Sequence, residues 1–246
     1  MLIAVKDGFA AGGKAVYPTD YVADGLLAMW DGIENAGWGS HSANMSAWKD
    51  LVSGREIALR GTAGSQVSVL EKSVQFVNPG NADMSTTLRN VKTIEVVCSQ
   101  VDTRGVVTVD NRLILRLGDW RPELSCWYQS SAGSSERIRV GWGFNNRYWP
   151  QDCGSVGSTA STFSFVSKSS GDSLYKDAVR VKDMTHYDFQ PVTYVELMNS
   201  YKNGSQLHVD KCSLHCIRLY SRVLDAAELA ANRAVDDARF NLPDAT

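Results

Sequence analysis

LHCIRLYSRVLDAAELAANRAVDDARF, residues Leu214 to Phe240, is the stretch that decides the fold. Leu214 to Tyr220 is an apolar, β-prone run long enough for one strand. Asp225 then opens an Asp-x-x-Glu pattern that closes at Glu228. An Asp225 carboxylate can accept an otherwise orphaned amide of a first helical turn, while Glu228 reaches back to the cap. Leu224 and Leu229 stand where a hydrophobic staple would join the entering chain to the helix. The stretch therefore predicts a last strand running into a capped helix. Ala227, Ala231, Ala234 and Ala238 recur at helical period and predict a small, flat face laid against a sheet.

Upstream of residue 225 no stretch reads as a helix, and short strand signals follow one another. Asp24 to Trp30, Gln66 to Leu70 and Ser73 to Val77 are short β-prone runs. In Val91 to Cys98, the face carrying Ile94, Val96 and Cys98 is the more apolar. Gly105 to Val109 and Arg112 to Leu117 suggest a hairpin across Asp110-Asn111. Further strands are expected at Ser125 to Gln129, Glu136 to Trp142, Thr162 to Ser167, Leu174 to Val181 and Val192 to Met198. Tyr201-Lys202-Asn203-Gly204 supplies the Asn-Gly that a tight hairpin needs. About a dozen short strands with turns between them predict an all-β, antiparallel sandwich.

The closing stretch also carries a family likeness. Ile217 to Leu224, followed by Glu228-Leu229-Ala230-Ala231-Asn232, resembles the last strand and trailing helix of concanavalin A-like, laminin-G-like domains. Gly25 to Ile33, and Trp48-Lys49-Asp50-Leu51-Val52-Ser53-Gly54, are similar to that family's opening strand and following turn. The two matches bracket roughly residues 21 to 240. The resemblance implies a concanavalin A-like jelly roll with a short C-terminal α-helix. On this reading residues 1–20 form an N-terminal arm, 21–224 the sandwich, and 225–246 a helix packed on it. Trp30 and Trp48 then belong to the core.

A chain of 246 residues, 43% hydrophobic, can bury a sizeable core as one domain. Its formal charge of −2 gives no electrostatic reason to expect nucleic acid or an anionic membrane as partner. No apolar segment approaches membrane-spanning length. The N-terminus MLIAVKDGFAAGGKAVYP lacks the pattern of a signal peptide. The odd count of five cysteines, Cys98, Cys126, Cys153, Cys212 and Cys216, suits buried reduced thiols. The expectation is a chain that folds in the cytoplasm, with a virion-associated or extracellular, cell-surface destination. Cys212 and Cys216 near His208 and His215 suggest zinc only weakly, because a second cysteine pair at zinc spacing is missing. No cofactor is implied. Calcium would have to use loop aspartates such as Asp102, Asp110 or Asp119, and no calcium-loop motif selects them.

Catalytic signals are sparse. The resemblance implies that a glucanase of this fold would place its carboxylates along one strand, as Glu-x-Asp-x-(x)-Glu, and no such run occurs. Glu95 and Glu196 each stand alone in an apolar strand. The best ligand candidate is Gly141 to Trp149, where Trp142, Phe144, Tyr148 and Trp149 interleave with Asn145, Asn146 and Arg147. Flat rings stack on the apolar faces of sugars, while amides and guanidinium groups bond the hydroxyls. The same rings also suit core packing. Trp38 and His41, in a long polar loop, form a second candidate. The expectation is a non-catalytic recognition or assembly module, not an enzyme, that binds glycan or another surface ligand and forms part of a phage particle. Partner subunits would be copies of itself or other particle proteins. A purely structural virion or surface protein, and a glycoside hydrolase of the same fold, are the alternatives.

Overall fold

A computed structural model describes residues 17–35, 39–77, 81–102, 112–118, 122–129, 137–144, 151–185, 191–198, 200–202, 205–207 and 211–241. After a short 3₁₀ turn at Pro18–Asp20, the first strands are β1 (Leu26–Asp31), β2 (Glu34–Asn35), β3 (Gly39–Ser40), β4 (Ala47–Lys49) and β5 (Glu56–Arg60). β6 (Val67–Val69), β7 (Val74–Val77), β8 (Asn81–Leu88), β9 (Thr93–Asp102) and β10 (Arg112–Arg116) follow. Next come β11 (Pro122–Gln129), β12 (Arg137–Phe144), β13 (Gln151–Ser155), β14 (Ser161–Lys168) and β15 (Gly171–Lys176). The last are β16 (Val179–Met184), β17 (Val192–Leu197), β18 (Ser200–Lys202), β19 (Ser205–Leu207) and β20 (Lys211–Tyr220). Among the described residues one α-helix, α1 (Ala226–Asp236), runs on into a π-helical turn at Asp237–Asn241.

Two antiparallel sheets form a sandwich. The first has the order β16-β15-β14-β9-β20-β7-β6, with β1 also paired to β20. The second has the order β13-β12-β11-β10-β17-β8-β5-β4. Their facing side chains make one core that includes Trp30, Trp48, Trp142, Phe163, Phe165, Ile94, Val96 and Cys98. β9 obeys the alternation read from its sequence, because only its apolar face can pack against the opposite sheet. Trp48 also donates its indole N–H to the Asp31 carbonyl at 2.8 Å. The Asp50 carboxylate after it gathers the amides of Val52, Ser53 and Arg55 at 2.7–3.0 Å, which closes the turn. β18 and β19 pair with Lys202 opposite Ser205, while the Asn203-Gly204 turn expected between them lies outside the described residues.

Two expectations are corrected. Leu174 to Val181 is not one strand but parts of β15 and β16, hinged at Asp177 and Ala178, whose φ values are 50° and 62°. Asp177 is held in the left-handed region by a pair of bonds to Thr162, which offset the conformational cost. The second correction concerns the helix face. Ala227, Ala231 and Ala234 face solvent, and the buried stripe is Leu229, Asn232, Val235 and Asp236. Asn232 and Asp236 go inward because buried partners receive them there. The 105–109 strand and the 110–111 turn lie outside the described residues, as do residues 1–16 of the arm. Among the described residues, no helix is long and apolar enough to cross a membrane.

The helix start is as the sequence reads. Glu228 N–H donates to Asp225 Oδ1 at 2.9 Å, and Asp225 N–H donates to Glu228 Oε2 at 3.0 Å. Leu224 and Leu229 pack into one cluster with Tyr220. Arg222 grips the same Glu228 carboxylate and, chiefly through that hydrogen bond, draws it down to about 2. Asp225→Ala is expected to cost about 1 kcal/mol, read as a lowered midpoint in urea denaturation.

Candidate functional site

Alternation along the second sheet turns its large apolar side chains into the core and leaves a polar row on its outer face. Register fixes which side chains meet. Glu123 on β11 lies opposite Arg116 on β10, and Arg116 lies opposite Glu196 on β17. Glu196 in turn lies opposite Asp83 on β8. Arg116 Nε sits 3.4 Å from Glu123 Oε2, and Arg116 Nη1 sits 3.4 Å from Glu196 Oε2. A single guanidinium therefore bridges two glutamates from the strands on either side of it. Beyond Glu196, Asp83 is taken by Arg60 in a two-pronged contact of 2.7 and 2.8 Å.

The bridge is enclosed. Side-chain exposure is 16% for Arg116, 8% for Glu123 and 21% for Glu196, so water screens these charges only partly. On the far side of Glu123 the partner is Gly143, and Ser125 faces Gly141. Neither glycine places a side chain over the glutamate. Glu196 and Asp83 are like charges placed directly across an antiparallel pair, an arrangement that costs stability unless cations offset it. Arg116 and Arg60 supply those cations. Two strand spacings put the backbones carrying Glu123 and Glu196 about 9.5 Å apart, and the shared guanidinium holds their nearest oxygens within about 9 Å.

The residues proposed from sequence fare differently. Trp142 is fully buried and packs at 5.8 Å, ring centroid to centroid, on Phe165, so it has no face for a sugar. The indole belongs to the core because β12 pairs Trp142 with Leu124, a core position. His41 uses Nε2 to hold the carbonyls of Asp31 and Glu34 at 2.6 and 2.9 Å. It anchors its loop edge-on to Trp48, and burial lowers its pKa. Asn145, Asn146, Arg147, Tyr148, Trp149 and Trp38 lie outside the described residues. All five cysteines are buried and outside any disulfide, and Cys212 belongs to the inter-sheet core. Both ring nitrogens of His215 are engaged by Ser99 and Lys72, which takes it out of a zinc set with Cys216. His208, Asp110 and Asp119 lie outside the described residues, as does the side chain of Asp102 at the end of β9.

Sequence reasoning saw Glu196 as solitary and did not weigh Arg116 or Glu123. The three are far apart in the chain, and only the strand order β11-β10-β17 brings them side by side. Glu95 is not solitary either. It is fully buried on the outer face of the first sheet, where Arg218 and Asn232 bond it at 2.9 and 2.7 Å beneath α1.

The architecture defines a two-sheet antiparallel β-sandwich with one short C-terminal helix. No family model matches the chain, and no curated protein sequence matches it. Solved structures do. Trypanosoma rangeli sialidase in complex with sialic acid superposes with a TM-score of 0.59 at 16% identity, over 96% of this chain and 36% of the sialidase. A mutant of that sialidase displaying trans-sialidase activity gives 0.58 at 14% identity, over 93% and 35%. The binding domain of botulinum neurotoxin serotype D gives 0.52 at 8% identity, over 86% and 52%. The chain thus spans about a third of the sialidases' length, and at these identities the shared property is the fold. The sialidases are glycoside hydrolases. These matches correct the expectation of a non-catalytic module that is not an enzyme.

Proposed function

We propose that this chain is a glycoside hydrolase, or the part of one that engages glycan, built on a laminin-G-like variant of the concanavalin A-like sandwich. The observation that carries this reading is the pair Glu123 and Glu196 meeting Arg116 at 3.4 Å each on the outer face of the second sheet. Glycoside cleavage uses two carboxyl groups, one to protonate the leaving oxygen and one to activate water or attack carbon. Glu123, the more enclosed of the two, is assigned the acid. Glu196, the more exposed, is assigned the base. Arg116 keeps the two at fixed spacing and offers its remaining N–H groups to a substrate oxygen.

The segment Asn145, Asn146, Arg147, Tyr148 and Trp149 follows directly on β12, whose Gly143 is the neighbour of Glu123. On its composition we assign this segment to sugar stacking and hydroxyl bonding. Trp142 is not part of that surface.

The test is hydrolysis of a panel of aryl glycosides, neutral and acidic, by the purified chain. Turnover of at least one is expected. Glu123→Gln and Glu196→Gln should each lower kcat by about 10²–10⁴-fold with the thermal midpoint little changed. Absence of turnover across the panel, or variants as active as the parent, would refute the assignment.

A further inference from the structure

The opposite face of the molecule holds a second constellation that the glutamate row does not use. Ser99 on β9 and Ser213 on β20 are directly paired across the first sheet, and Ser213 is also paired with Gln75 on β7. Both β9 and β20 depart from regular register at this point, with shifts between Lys211 and Ser213 and between Leu214 and Cys216. The second shift lets His215 turn to the same outer face as Ser99. Ser99 Oγ then lies 2.8 Å from His215 Nε2, and His215 Nδ1 lies 2.8 Å from the Lys72 carbonyl oxygen. A carbonyl can only accept, so Nδ1 carries the ring proton. Nε2 is left as the acceptor for the Ser99 hydroxyl.

This is the order of groups that activates a serine: nucleophile, base, and a third group that fixes the base's tautomer. The frame around it is rigid. Gly32 donates its amide to the His215 carbonyl at 2.6 Å, and a Cβ at position 32 would collide with that carbonyl and with Lys72. Gln100, next to Ser99, has φ of 51°, a strained value for a side-chain-bearing residue. Gln75 Nε2 spends its two N–H groups on Ser213 Oγ at 3.0 Å and Gln100 Oε1 at 3.2 Å, which fixes the Ser213 hydroxyl one cross-strand pair from Ser99 and leaves its proton free to donate. Burial lowers the His215 pKa, so the ring is neutral at neutral pH, as a base must be.

We infer that Ser99 and His215 form a nucleophile–base pair that accepts small acyl groups from esters. Ser99 Oγ attacks the acyl carbon as its proton passes to His215 Nε2. The C–O bond to the leaving alcohol breaks, and His215 returns the proton to that alcohol. Water then repeats the sequence on the Ser99 ester, releasing the carboxylic acid and the free serine. The Ser213 hydroxyl, held from behind by Gln75, is the donor placed to meet the developing oxyanion. The inference is independent of the glutamate row, because its substrates are esters and its residues lie on the other sheet.

The experiment treats the full chain with a small alkyl fluorophosphonate and, separately, with p-nitrophenyl acetate, and locates any adduct by peptide mass spectrometry. A single adduct at Ser99 is expected, absent in Ser99→Ala and formed at least 100-fold more slowly in His215→Gln. Labelling should rise with pH along a curve centred below the ordinary imidazole range. Because the unaltered protein is itself the probe, failure of a variant to fold leaves the test intact. No adduct at Ser99 in the folded parent, or equal labelling rates in a folded His215→Gln protein, would overturn the inference.

Discussion

Arg218→Ala is expected to destabilise the protein by about 3–5 kcal/mol, lowering the thermal midpoint by roughly 6–20 °C. Arg218 is fully buried between the first sheet and α1. Its Nη atoms bind Asp236 of the helix at 2.6 and 2.8 Å, and its Nε binds Glu95 of β9 at 2.9 Å. Tyr21 donates its hydroxyl to the same Asp236 at 2.8 Å and lays its ring 4.2 Å under the guanidinium. Truncation would strand two carboxylates without water or a cation, and the uncompensated charge is what makes the loss large. Differential scanning calorimetry measures it. A shift under about 2 °C would mean that the cluster relaxes or hydrates freely.

A milder variant separates charge from shape. Two carboxylates share the Arg218 guanidinium, and Glu95 receives only one of its arms. Burial therefore raises the Glu95 pKa, with Arg218 opposing and Asp236 reinforcing the shift. A raised folded-state pKa gives stability that is complete below the ordinary glutamate range and is lost as pH climbs through the shifted value. Glu95→Gln keeps the hydrogen-bonding outline and should flatten that slope in urea titrations run from acidic to neutral pH. An unchanged slope would assign the effect to another group.

Arg239→Ala is expected to cost about 3 kcal/mol by the same mechanism at a second point. Arg239 binds Asp31 at the end of β1 through two contacts of 2.7 and 3.0 Å, and both side chains are buried. Without it Asp31 keeps the amides of Ile33 and Glu34, each at 2.9 Å, but no cation. The Tyr21 ring also lies 5.7 Å from Arg239, so the two arginines share a neighbour. The double variant should depart from additivity by about 0.5–3 kcal/mol in chemical denaturation. Strict additivity would mean that the two ion pairs are independent.

How much of this was legible depends on how far apart the interacting residues lie in the chain. Asp225 and Glu228 are three residues apart, so the helix cap could be read directly. The alternation in β9 and the core roles of Trp30 and Trp48 follow from local pattern and the opening motif. The alanine face misled because helical period locates a stripe without saying what covers it. Asn232 and Asp236 look solvent-bound until Glu95, Arg218 and Tyr21 are brought beneath them. The same limit hid the bridge of Arg116, Glu123 and Glu196. Their meeting depends on β17 sitting beside β10, a neighbour relation that no run of residues encodes. Trp142 was ambiguous for a simpler reason: an aromatic in a strand can face either way, and pairing with Leu124 turns it inward.

The central strand of the first sheet, β20, has a bearing on biosynthesis. β1, β7 and β9 all wait for it, and Tyr21, Asp31 and Glu95 wait for side chains as late as Arg239. A nascent chain leaving the ribosome therefore exposes unpaired edges until β20 and the helix after it emerge, and the sandwich cannot close before then. Polypeptides that stall short of Phe240 would be substrates for chaperones and proteases rather than partly working proteins.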